Sequence, residues 1–227
     1  FHQQKTFVLN FNTFVLQKKS KKVYCPCCGW TGPGFITNCN WRSIAKHSRC
    51  PSCDSRSRHR GLFILLQKLI PDVHEDLLFF APELILLSFF KKYKKSLTIK
   101  TTDYYSTDVD FPNENIQNLT FADESFKFLM CNHVIEHVQN DDLAFSECSR
   151  ILKKGGMAII TIPGDYHLKN TMEYKQTDSN GHFRHYGTEV IDKMKLYFSN
   201  VESLDMNKLV DTKIKVQKMD IAFICHK

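Results

Sequence analysis

Residues 115–163 of this chain, NIQNLTFADESFKFLMCNHVIEHVQNDDLAFSECSRILKKGGMAIITIP, decide its fold class. Within the stretch, the apolar run FKFLMCN predicts a buried β-strand, and DDLAFSECSRILKKGG predicts an amphipathic helix. MAIITIP predicts a second strand, with Gly155 and Gly156 before it and Pro163 at its end. A strand, a helix and a strand in this order are typical of a right-handed crossover between parallel strands.

The same alternation continues on both sides of the stretch. Strands are predicted at DLLFFAPE (residues 76–83), SLTIKTTDYY (96–105) and DIAFICHK (220–227), and helices at SRSRHRGLFILLQKLI (55–70), LILLSFFKKY (84–93) and TEVIDKMKLYF (188–198). We therefore expect an α/β protein with a doubly wound, mostly parallel sheet. Such sheets bind ligands at the carboxyl ends of their strands, so the residues that follow each strand are the first candidates for a site.

The composition is that of a globular protein. The 227 residues are 42% hydrophobic and 24% charged, which are ordinary values for a soluble domain. No apolar run approaches the roughly 20 residues that cross a bilayer, and no signal peptide is visible. We therefore expect a cytoplasmic protein without a membrane partner, whereas its oligomeric state is not predicted.

Positive charge is concentrated in the first third of the chain. Residues 1–70 contain twelve Lys and Arg and a single acid, Asp54, so the other 157 residues contain 19 basic and 23 acidic groups. This asymmetry predicts a negatively charged partner for residues 1–70, and RNA is a candidate. Arg56, Arg58 and Arg60 lie at the start of a predicted helix, where they oppose its dipole. They are expected either to bind an anion or to pair with acids of the second domain.

Four of the nine cysteines form a metal-binding pattern. YCPCCGW contains Cys25 and Cys28, and RCPSCD contains Cys50 and Cys53, with 21 residues between the two pairs. This spacing predicts a structural Zn²⁺ site with four thiolate ligands and no open position. Disulfides are disfavoured because the count is odd and nothing indicates secretion. The other cysteines are interpreted as non-ligands: Cys27 and Cys39 as spares, and Cys131, Cys148 and Cys225 as buried small hydrophobes.

His133, Glu136 and His137 spell H-x-x-E-H, a signature of some zinc proteases. That signature requires both histidines on one helix, one turn apart. Here His133 directly follows the predicted strand FKFLMC, and no third acidic ligand is apparent. A protease is therefore disfavoured, and the string indicates a strand end that faces a ligand.

Residues 115–163 resemble the central block of class I S-adenosylmethionine-dependent methyltransferases of the methyltransferase type 11 group. Those enzymes have a D-I-x-x-L-P-F-x-D-x-S-F-D run, a strand, S-H-V-L-E-H-V, and then R-V-L-K-P-G-G before another strand. The cysteine pairs followed by SRHRGLF resemble a subgroup with an N-terminal zinc ribbon. The resemblance implies a Rossmann-like methyltransferase sheet, an N-terminal helix and zinc ribbon at residues 1–56, and a methyltransferase domain at residues 57–227.

The resemblance also implies which residues contact S-adenosylmethionine. The Gly-rich loop of these enzymes is replaced here by F-A-P-E, in which Glu83 is expected to accept a hydrogen bond from the cofactor's ammonium group. Asp103 matches the acid that binds the ribose hydroxyls, and Asn115 stands where an Asp accepts from adenine. The full set of expected cofactor residues is Phe80, Ala81, Pro82, Glu83, Asp103, Tyr104, Asn115, Ile116, Asn132 and His133. A degenerate fold that binds no cofactor is the alternative, because the loop contains no glycine.

The sequence says less about the catalytic residues and the methyl acceptor than about the fold and the cofactor. If the acceptor is a hydroxyl, His133 is the first choice as general base and His137 the second. Glu136 and His137 are expected either to cap the next helix or to hold a divalent ion, as in some similar enzymes. The loop GHFRHYG offers an acceptor site at His182, Arg184, His185 and Tyr186, and Arg184 suggests an anionic group. A small anionic or hydroxyl-bearing acceptor is favoured over RNA and over a non-catalytic binding module.

Overall fold

The computed structural model describes residues 22–39, 44–216 and 220–227. The predicted N-terminal helix and the side chain of Cys39 lie outside the described residues. The chain divides into two compact units, Phe1–Ile70 with Met206–Asp220, and Pro71–Asp205 with Ile221–Lys227. In the described part of the chain, no helix is both long enough and apolar enough to cross a membrane.

The described part of the first unit combines short antiparallel strand pairs with helices. Its described elements are β1 (Val23–Tyr24), β2 (Thr31–Gly32), β3 (Ile36–Cys39), β4 (Ile44–Arg49), α1 (Ser57–Leu69) and, from later in the chain, α5 (Met206–Leu209). β1 pairs with β2 and β3 with β4. A small core forms from Val23 and Phe35 around Cys25 and Cys50. A Cβ on Gly61 of α1 would lie 2.9 Å from the Cβ of Met206, so the close approach of the two helices requires glycine there.

The domain boundary predicted between residues 56 and 57 lies inside the first unit. The reason is Arg60 on α1, which is fully buried with its guanidinium 3.9 Å from the centre of the Phe35 ring. It donates hydrogen bonds to the backbone carbonyls of His47 (2.7 Å), Ser55 (2.8 Å), Ile214 (2.9 Å) and Lys215 (2.8 Å). Arg60 therefore neither binds an external anion nor pairs with an acid, the two roles predicted for it.

The second unit alternates strands and helices along the chain. Its elements are β5 (Asp76–Phe80), α2 (Leu84–Tyr93), β6 (Thr98–Asp103), β7 (Phe111–Pro112), β8 (Phe126–Asn132), α3 (Asp141–Ile151), β9 (Leu152–Thr161), β10 (Met172–Glu173), β11 (Arg184–His185), α4 (Val190–Met194), β12 (Asn200–Asp205) and β13 (Ile221–His226). Seven strands form one sheet in the order β12-β13-β9-β8-β5-β6-β7. The pairs among β5 to β9 are all parallel, whereas β13 is antiparallel to both β9 and β12.

This sheet confirms the predicted doubly wound, mostly parallel architecture. The chain leaves β5 for β6 on one side and returns to β8 on the other, so the carboxyl end of β5 is the point at which a cleft opens. Cys131, Cys148 and Cys225 are buried in the core around the sheet, as predicted.

Several elements of the second unit differ from the sequence prediction. The helix predicted through Gly156 ends at Ile151, because Gly155 has a φ of +64° and a Cβ on Gly156 would lie 2.7 Å from the Lys153 carbonyl oxygen. The two glycines instead belong to an irregularity in β9, where its register with β8 shifts. The helix predicted at residues 188–198 is confined to Val190–Met194, and the strands β7 and β12 were not predicted.

Candidate functional site

Cys25, Cys28, Cys50 and Cys53 lie together in the first unit, and we call them the Cys₄ cluster. Their sulfur atoms all lie within 4.8 Å of one another. Sγ of Cys25 is 3.7 Å from that of Cys53, and Sγ of Cys28 is 3.8 Å from that of Cys50. A tetrahedron with Zn–S bonds of about 2.3 Å has sulfur–sulfur edges of about 3.8 Å. The cluster therefore fits the predicted zinc site, in the predicted register.

Two equivalent turns bring these sulfurs together. The N–H of Gly29 donates to the Cys25 carbonyl (2.8 Å), and the N–H of Asp54 donates to the Cys50 carbonyl (3.0 Å). Gly29 and Asp54 both have positive φ, +80° and +60°, which glycine and aspartate adopt more readily than most residues. The backbone N–H of Ser52 also approaches Sγ of Cys50 at 3.4 Å. Each C-P-x-C segment therefore folds back and points both of its thiols to one side.

The thiols of the Cys₄ cluster have opposite tendencies to ionise. Hydrogen bonding from Cys27 and Ser55 lowers the pKa of Cys25 to about 4, against the effect of burial. Burial raises the pKa of Cys50 and Cys53, and the nearby Cys25 thiolate raises it further. A bound divalent cation would stabilise all four as thiolates, which is the chemistry of a structural zinc site.

A cavity of about 740 Å³ lies at the carboxyl ends of the strands in the second unit. Its wall includes Ala81 after β5, Asp103 at the end of β6 and His133 after β8. On the opposite side the wall is completed by His137 and by the loop of residues 177–183. The strand ends predicted to carry the site therefore converge on one cavity.

The loop F-A-P-E makes its turn without glycine. Ala81 has a φ of +46°, and its N–H donates to the Thr102 carbonyl at 2.8 Å. His133, which follows β8, has a φ of +55°. A residue with a side chain in this region is strained by roughly 1–2 kcal/mol. Of the four predicted loop residues, Phe80 and Ala81 line the cavity, whereas Pro82 and Glu83 are not part of its wall.

Glu83 and Asn132 are linked to each other beside the cavity. The Asn132 amide donates to the Glu83 carboxylate, and its carbonyl accepts from the Thr161 hydroxyl. Asn132 is buried and does not line the cavity. Its position therefore supports an indirect role, in which it orients Glu83, and not the direct cofactor contact predicted for it.

Asp103 and Tyr104 lie at the wall as predicted. Oδ1 of Asp103 accepts hydrogen bonds from the backbone N–H groups of Tyr105 (2.7 Å) and Ser106 (2.8 Å). These bonds fix the orientation of the carboxylate at the strand end, which is the arrangement needed to accept hydrogen bonds from a diol. The Tyr104 and Tyr105 rings contact each other edge to face and are exposed.

Asn115 and Ile116 also line the cavity. Ile116 is buried and lines the cavity, and its predicted contact with adenine remains a prediction. Oδ1 of Asn115, however, already accepts from the backbone N–H (3.0 Å) and the side-chain amide (3.3 Å) of Gln117. An adenine amino group that donated to this oxygen, as predicted, would have to share it with the two Gln117 donors.

His133, Glu136 and His137 surround the end of β8. Ile135–His137 is a single 3₁₀ turn, and α3 begins only at Asp141. Nδ1 of His133 is 3.3 Å and Nε2 of His137 is 3.9 Å from Oε1 of Glu136. Asn140 caps α3, since its Oδ1 accepts from the N–H of Leu143 at 3.3 Å. The capping role considered for Glu136 and His137 is therefore wrong.

His182 comes from a loop 45 residues further along the chain and lies against His137, with 4.8 Å between the ring centroids. Its Nδ1 is 3.4 Å from a carboxylate oxygen of Asp178. Oδ1 of Asp178 accepts from the N–H groups of His182 (3.0 Å) and Asn180 (2.7 Å), which lower its pKa. Glu136, His137 and His182 each present one ligand atom within 4.8 Å of the other two, and we call them the Glu–His cluster. No local sequence pattern connects His182 with Glu136.

The structure corrects the acceptor contacts predicted for Arg184 and Tyr186. Arg184 is buried and donates to the Glu173 carboxylate (2.8 Å) and to the backbone carbonyls of Val138 (3.0 Å) and Gln139 (2.6 Å). Burial raises the pKa of Tyr186, whose hydroxyl stays protonated and donates to Asp141 at 3.0 Å. Both side chains therefore hold the loop in place. His185 pairs with Met172 in the β10–β11 ladder and does not line the cavity.

Comparison with known proteins agrees with this architecture. Residues 85–160 match the family model described as "Methyltransferase domain". An uncharacterized protein of Methanocaldococcus jannaschii is 33% identical over 112 residues, which cover 46% of this chain and 53% of that protein. The chain thus spans about half the length of the curated relative that it matches.

Two solved structures show a similar fold at low identity. One is a SAM-dependent methyltransferase from Archaeoglobus fulgidus, with 13% identity, a TM-score of 0.51, and coverage of 74% of this chain and 94% of that chain. The other is a 1,6-didemethyltoxoflavin-N1-methyltransferase from Burkholderia thailandensis, with 10% identity, a TM-score of 0.53, and coverage of 75% and 78%. The sheet therefore has the Rossmann-like fold of class I S-adenosylmethionine-dependent methyltransferases, and the family match lies within it.

Proposed function

We propose that this protein transfers a methyl group from S-adenosylmethionine to a hydroxyl group of a small acceptor. The cavity supports the proposal, because one volume of about 740 Å³ joins Asp103 and Ile116 to His133 and His137. Cavities of roughly 300–1,000 Å³ typically hold small ligands. Most of the predicted cofactor residues and both candidate general bases therefore line one cavity.

The residues present fit the cofactor. When bound, S-adenosylmethionine supplies an electrophilic methyl group on its sulfonium sulfur. Asp103 would accept hydrogen bonds from the ribose hydroxyls, because its carboxylate is held at the strand end. Ile116 would pack against adenine, and Glu83, oriented by Asn132, would accept from the ammonium group.

His133 is the residue proposed to take the acceptor's proton. It lines the cavity at the end of β8, and its Nδ1 lies 3.3 Å from Oε1 of Glu136. His133 would accept the hydroxyl proton as the acceptor oxygen bonds to the methyl group that the cofactor supplies, and the electron pair of the broken sulfur–methyl bond would stay on the cofactor's sulfur. Alignment of the acceptor by the surrounding wall contributes the rest of the rate.

A hydroxyl-bearing acceptor is now favoured over an anionic one. The described residues that line the cavity include the acids Asp103 and Glu114 but no Lys or Arg. Arg184, on which the anionic acceptor was predicted, is buried and already paired. A phosphate or carboxylate would therefore meet net negative charge at this wall.

RNA is the second candidate acceptor, because residues 1–70 carry the basic excess. Within the described part of that segment, Arg49 pairs with Asp54 and Arg60 is buried. Fewer cations are therefore free for phosphates than the composition suggests. RNA contact at about six phosphates would make affinity fall by roughly 10³ between 50 and 200 mM salt.

We further propose that the Cys₄ cluster holds one structural Zn²⁺. Its sulfur–sulfur distances and two matching turns support this assignment. Four thiolate ligands leave no position for water, so the ion would stabilise the first unit and would not take part in methyl transfer.

Calorimetric titration with S-adenosylhomocysteine tests the cofactor site. We expect binding to the intact protein, and at least tenfold weaker binding by Asp103→Ala, since hydrogen bonds to a charged acceptor contribute about 1.5–3 kcal/mol. Asp108→Ala, an exposed acid in the following loop, is the matched control and should bind normally.

Two results would change the assignment. Absence of binding by the intact protein would favour the cofactor-free binding module. Methyl transfer to a structured RNA, with the steep salt dependence given above, would replace the small acceptor.

A further inference from the structure

The Glu–His cluster contains a carboxylate without a hydrogen bond. Glu136 is fully buried, and among the described residues neither of its carboxylate oxygens has a hydrogen-bond partner. A buried carboxylate is strongly destabilising unless a cation compensates it. Nδ1 of His133 lies 3.3 Å from Oε1 of Glu136 but makes no hydrogen bond to it. His137 and His182, which are also metal-ligand types, place ligand atoms within 4.8 Å of the carboxylate.

We propose that Glu136, His137 and His182 bind a divalent metal ion at the edge of the cavity. The further step, that this ion binds the acceptor's hydroxyl oxygen, rests on the proposed function. The metal site itself stands on the geometry of the cluster and is independent of the Cys₄ cluster.

The contacts of His137 and His182 indicate which nitrogen of each ring is available to a metal. Nδ1 of His137 is 3.2 Å from the Gly181 carbonyl oxygen, which can only accept, so Nδ1 carries the hydrogen. Nε2 of His137 therefore has the lone pair, and it is the nitrogen near Glu136. Nδ1 of His182 likewise lies beside the Asp178 carboxylate. Metal-binding histidines usually donate their second N–H to a carbonyl or carboxylate in this way.

The protein scaffold holds the three ligands together. The N–H of Phe183 donates to the Glu136 carbonyl at 2.9 Å, which fixes the His182 loop to the 3₁₀ turn. Gly181 has a φ of +81°, and a Cβ there would lie 3.6 Å from Nδ1 of His137. Arg184 adds two hydrogen bonds, to the carbonyls of Val138 and Gln139 just after the turn. The cluster is thus preformed by contacts outside the ligands.

The three ligands indicate which metal ions would bind and what such an ion could do in the cavity. Two imidazoles and one carboxylate suit Mn²⁺, Fe²⁺, Co²⁺ or Zn²⁺ better than Ca²⁺, which prefers oxygen ligands only. Three protein ligands leave coordination positions open, and His137 and Gly181 belong to the cavity wall. A hydroxyl bound there would have a lowered pKa and would lose its proton to His133 more readily as its oxygen attacks the methyl carbon.

Titration of the zinc-loaded protein with Mn²⁺, and separately with additional Zn²⁺, tests the site. We expect one further ion per chain, bound at least tenfold more weakly by Glu136→Gln and by His182→Ala. His74→Ala, an exposed histidine at the start of the second unit, is the matched control and should bind as the parent does. In the zinc-loaded protein, the four thiolates of the Cys₄ cluster already occupy every coordination position of the zinc ion. Mn²⁺ that binds to this protein is therefore bound at the second site.

Thermal unfolding gives a readout independent of activity. Glu136→Gln keeps the shape of the side chain and removes the buried charge, so it should raise Tm without added metal and abolish the rise that Mn²⁺ causes in the parent. Failure of both ions to bind, or equal binding by the parent, Glu136→Gln and His182→Ala, would overturn the metal site. S-adenosylhomocysteine binding without metal binding would reject this inference alone, whereas metal binding without S-adenosylhomocysteine binding would reject the proposed function alone.

Discussion

Ala81 shows how one residue can replace a glycine loop. Its φ of +46° lies in the region that glycine adopts freely and alanine does not. The hydrogen bond from its N–H to Thr102 and the ring of the following Pro82 hold the turn in this conformation. The absence of glycine from F-A-P-E therefore does not prevent the turn, but the turn is strained.

Ala81→Gly should relieve this strain. We expect the free energy of unfolding to rise by up to about 1 kcal/mol, because glycine adopts positive φ without a steric cost, which outweighs its greater entropy in the unfolded chain. The measurement is urea denaturation followed by circular dichroism. Ala122→Gly is the control at an exposed position with ordinary φ, and it should lower the free energy by about 0.4–1 kcal/mol. Equal losses in the two variants would show that Ala81 is not strained.

At the scale of residues, the sequence predicts which side chains lie at a site better than it predicts which polar side chains are buried. Asp103 and the Cys₄ cluster were located because strand ends and C-x₂-C spacing each fix a geometry. Arg184 was predicted to face the acceptor because its loop is rich in polar residue types. Yet Arg184 is buried, since Glu173 and two backbone carbonyls compensate its charge. Partners of this kind are distant in sequence, so no local pattern reveals them.

The β10–β11 hairpin is the element that completes the candidate site. Met172 pairs with His185 and Glu173 with Arg184, and the loop between the two strands carries His182 to the Glu–His cluster. Two-residue strands have no hydrophobic period to detect, so the sequence could not predict the hairpin. The start of β9 was missed for a related reason, since LKKGG continues the helical pattern of α3 until the two glycines end it.

Arg184→Met should loosen this hairpin. The change removes the buried cation and leaves the carbonyls of Val138 and Gln139 without their donor, so we expect a loss of about 3–5 kcal/mol in the free energy of unfolding. Denaturant titration measures the loss. Lys195→Met removes an exposed ion pair with Asp192 and should cost less than about 1 kcal/mol. A similarly small loss for Arg184→Met would mean that Arg184 does not hold the hairpin.

At the scale of the whole molecule, the two units are stabilised by different means. The second unit buries an extensive apolar core around its seven-stranded sheet. In the described part of the first unit, α1 contributes its own buried apolar side chains, whereas the cluster around Cys25 and Cys50 contains only Val23 and Phe35 as other buried apolar residues. A cluster of this size usually needs a metal or disulfides to stay folded. The basic excess of residues 1–70 adds repulsion within the same unit, which a metal site must also overcome.

Removing the zinc should therefore unfold the first unit and leave the sheet of the second unit intact. Without the ion, burial and mutual repulsion oppose the ionised thiols, and the two C-P-x-C turns lose their common ligand. Hydrogen–deuterium exchange before and after chelation should show lost protection at the amide of Gly29 and retained protection at Leu129 in β8. Cys28→Ser should reproduce the effect of chelation, whereas Cys27→Ser should keep the zinc, because Cys27 is not part of the Cys₄ cluster. Zinc loss from Cys27→Ser would overturn the ligand set, and unchanged protection at Gly29 in the metal-free protein would overturn the structural role of the ion.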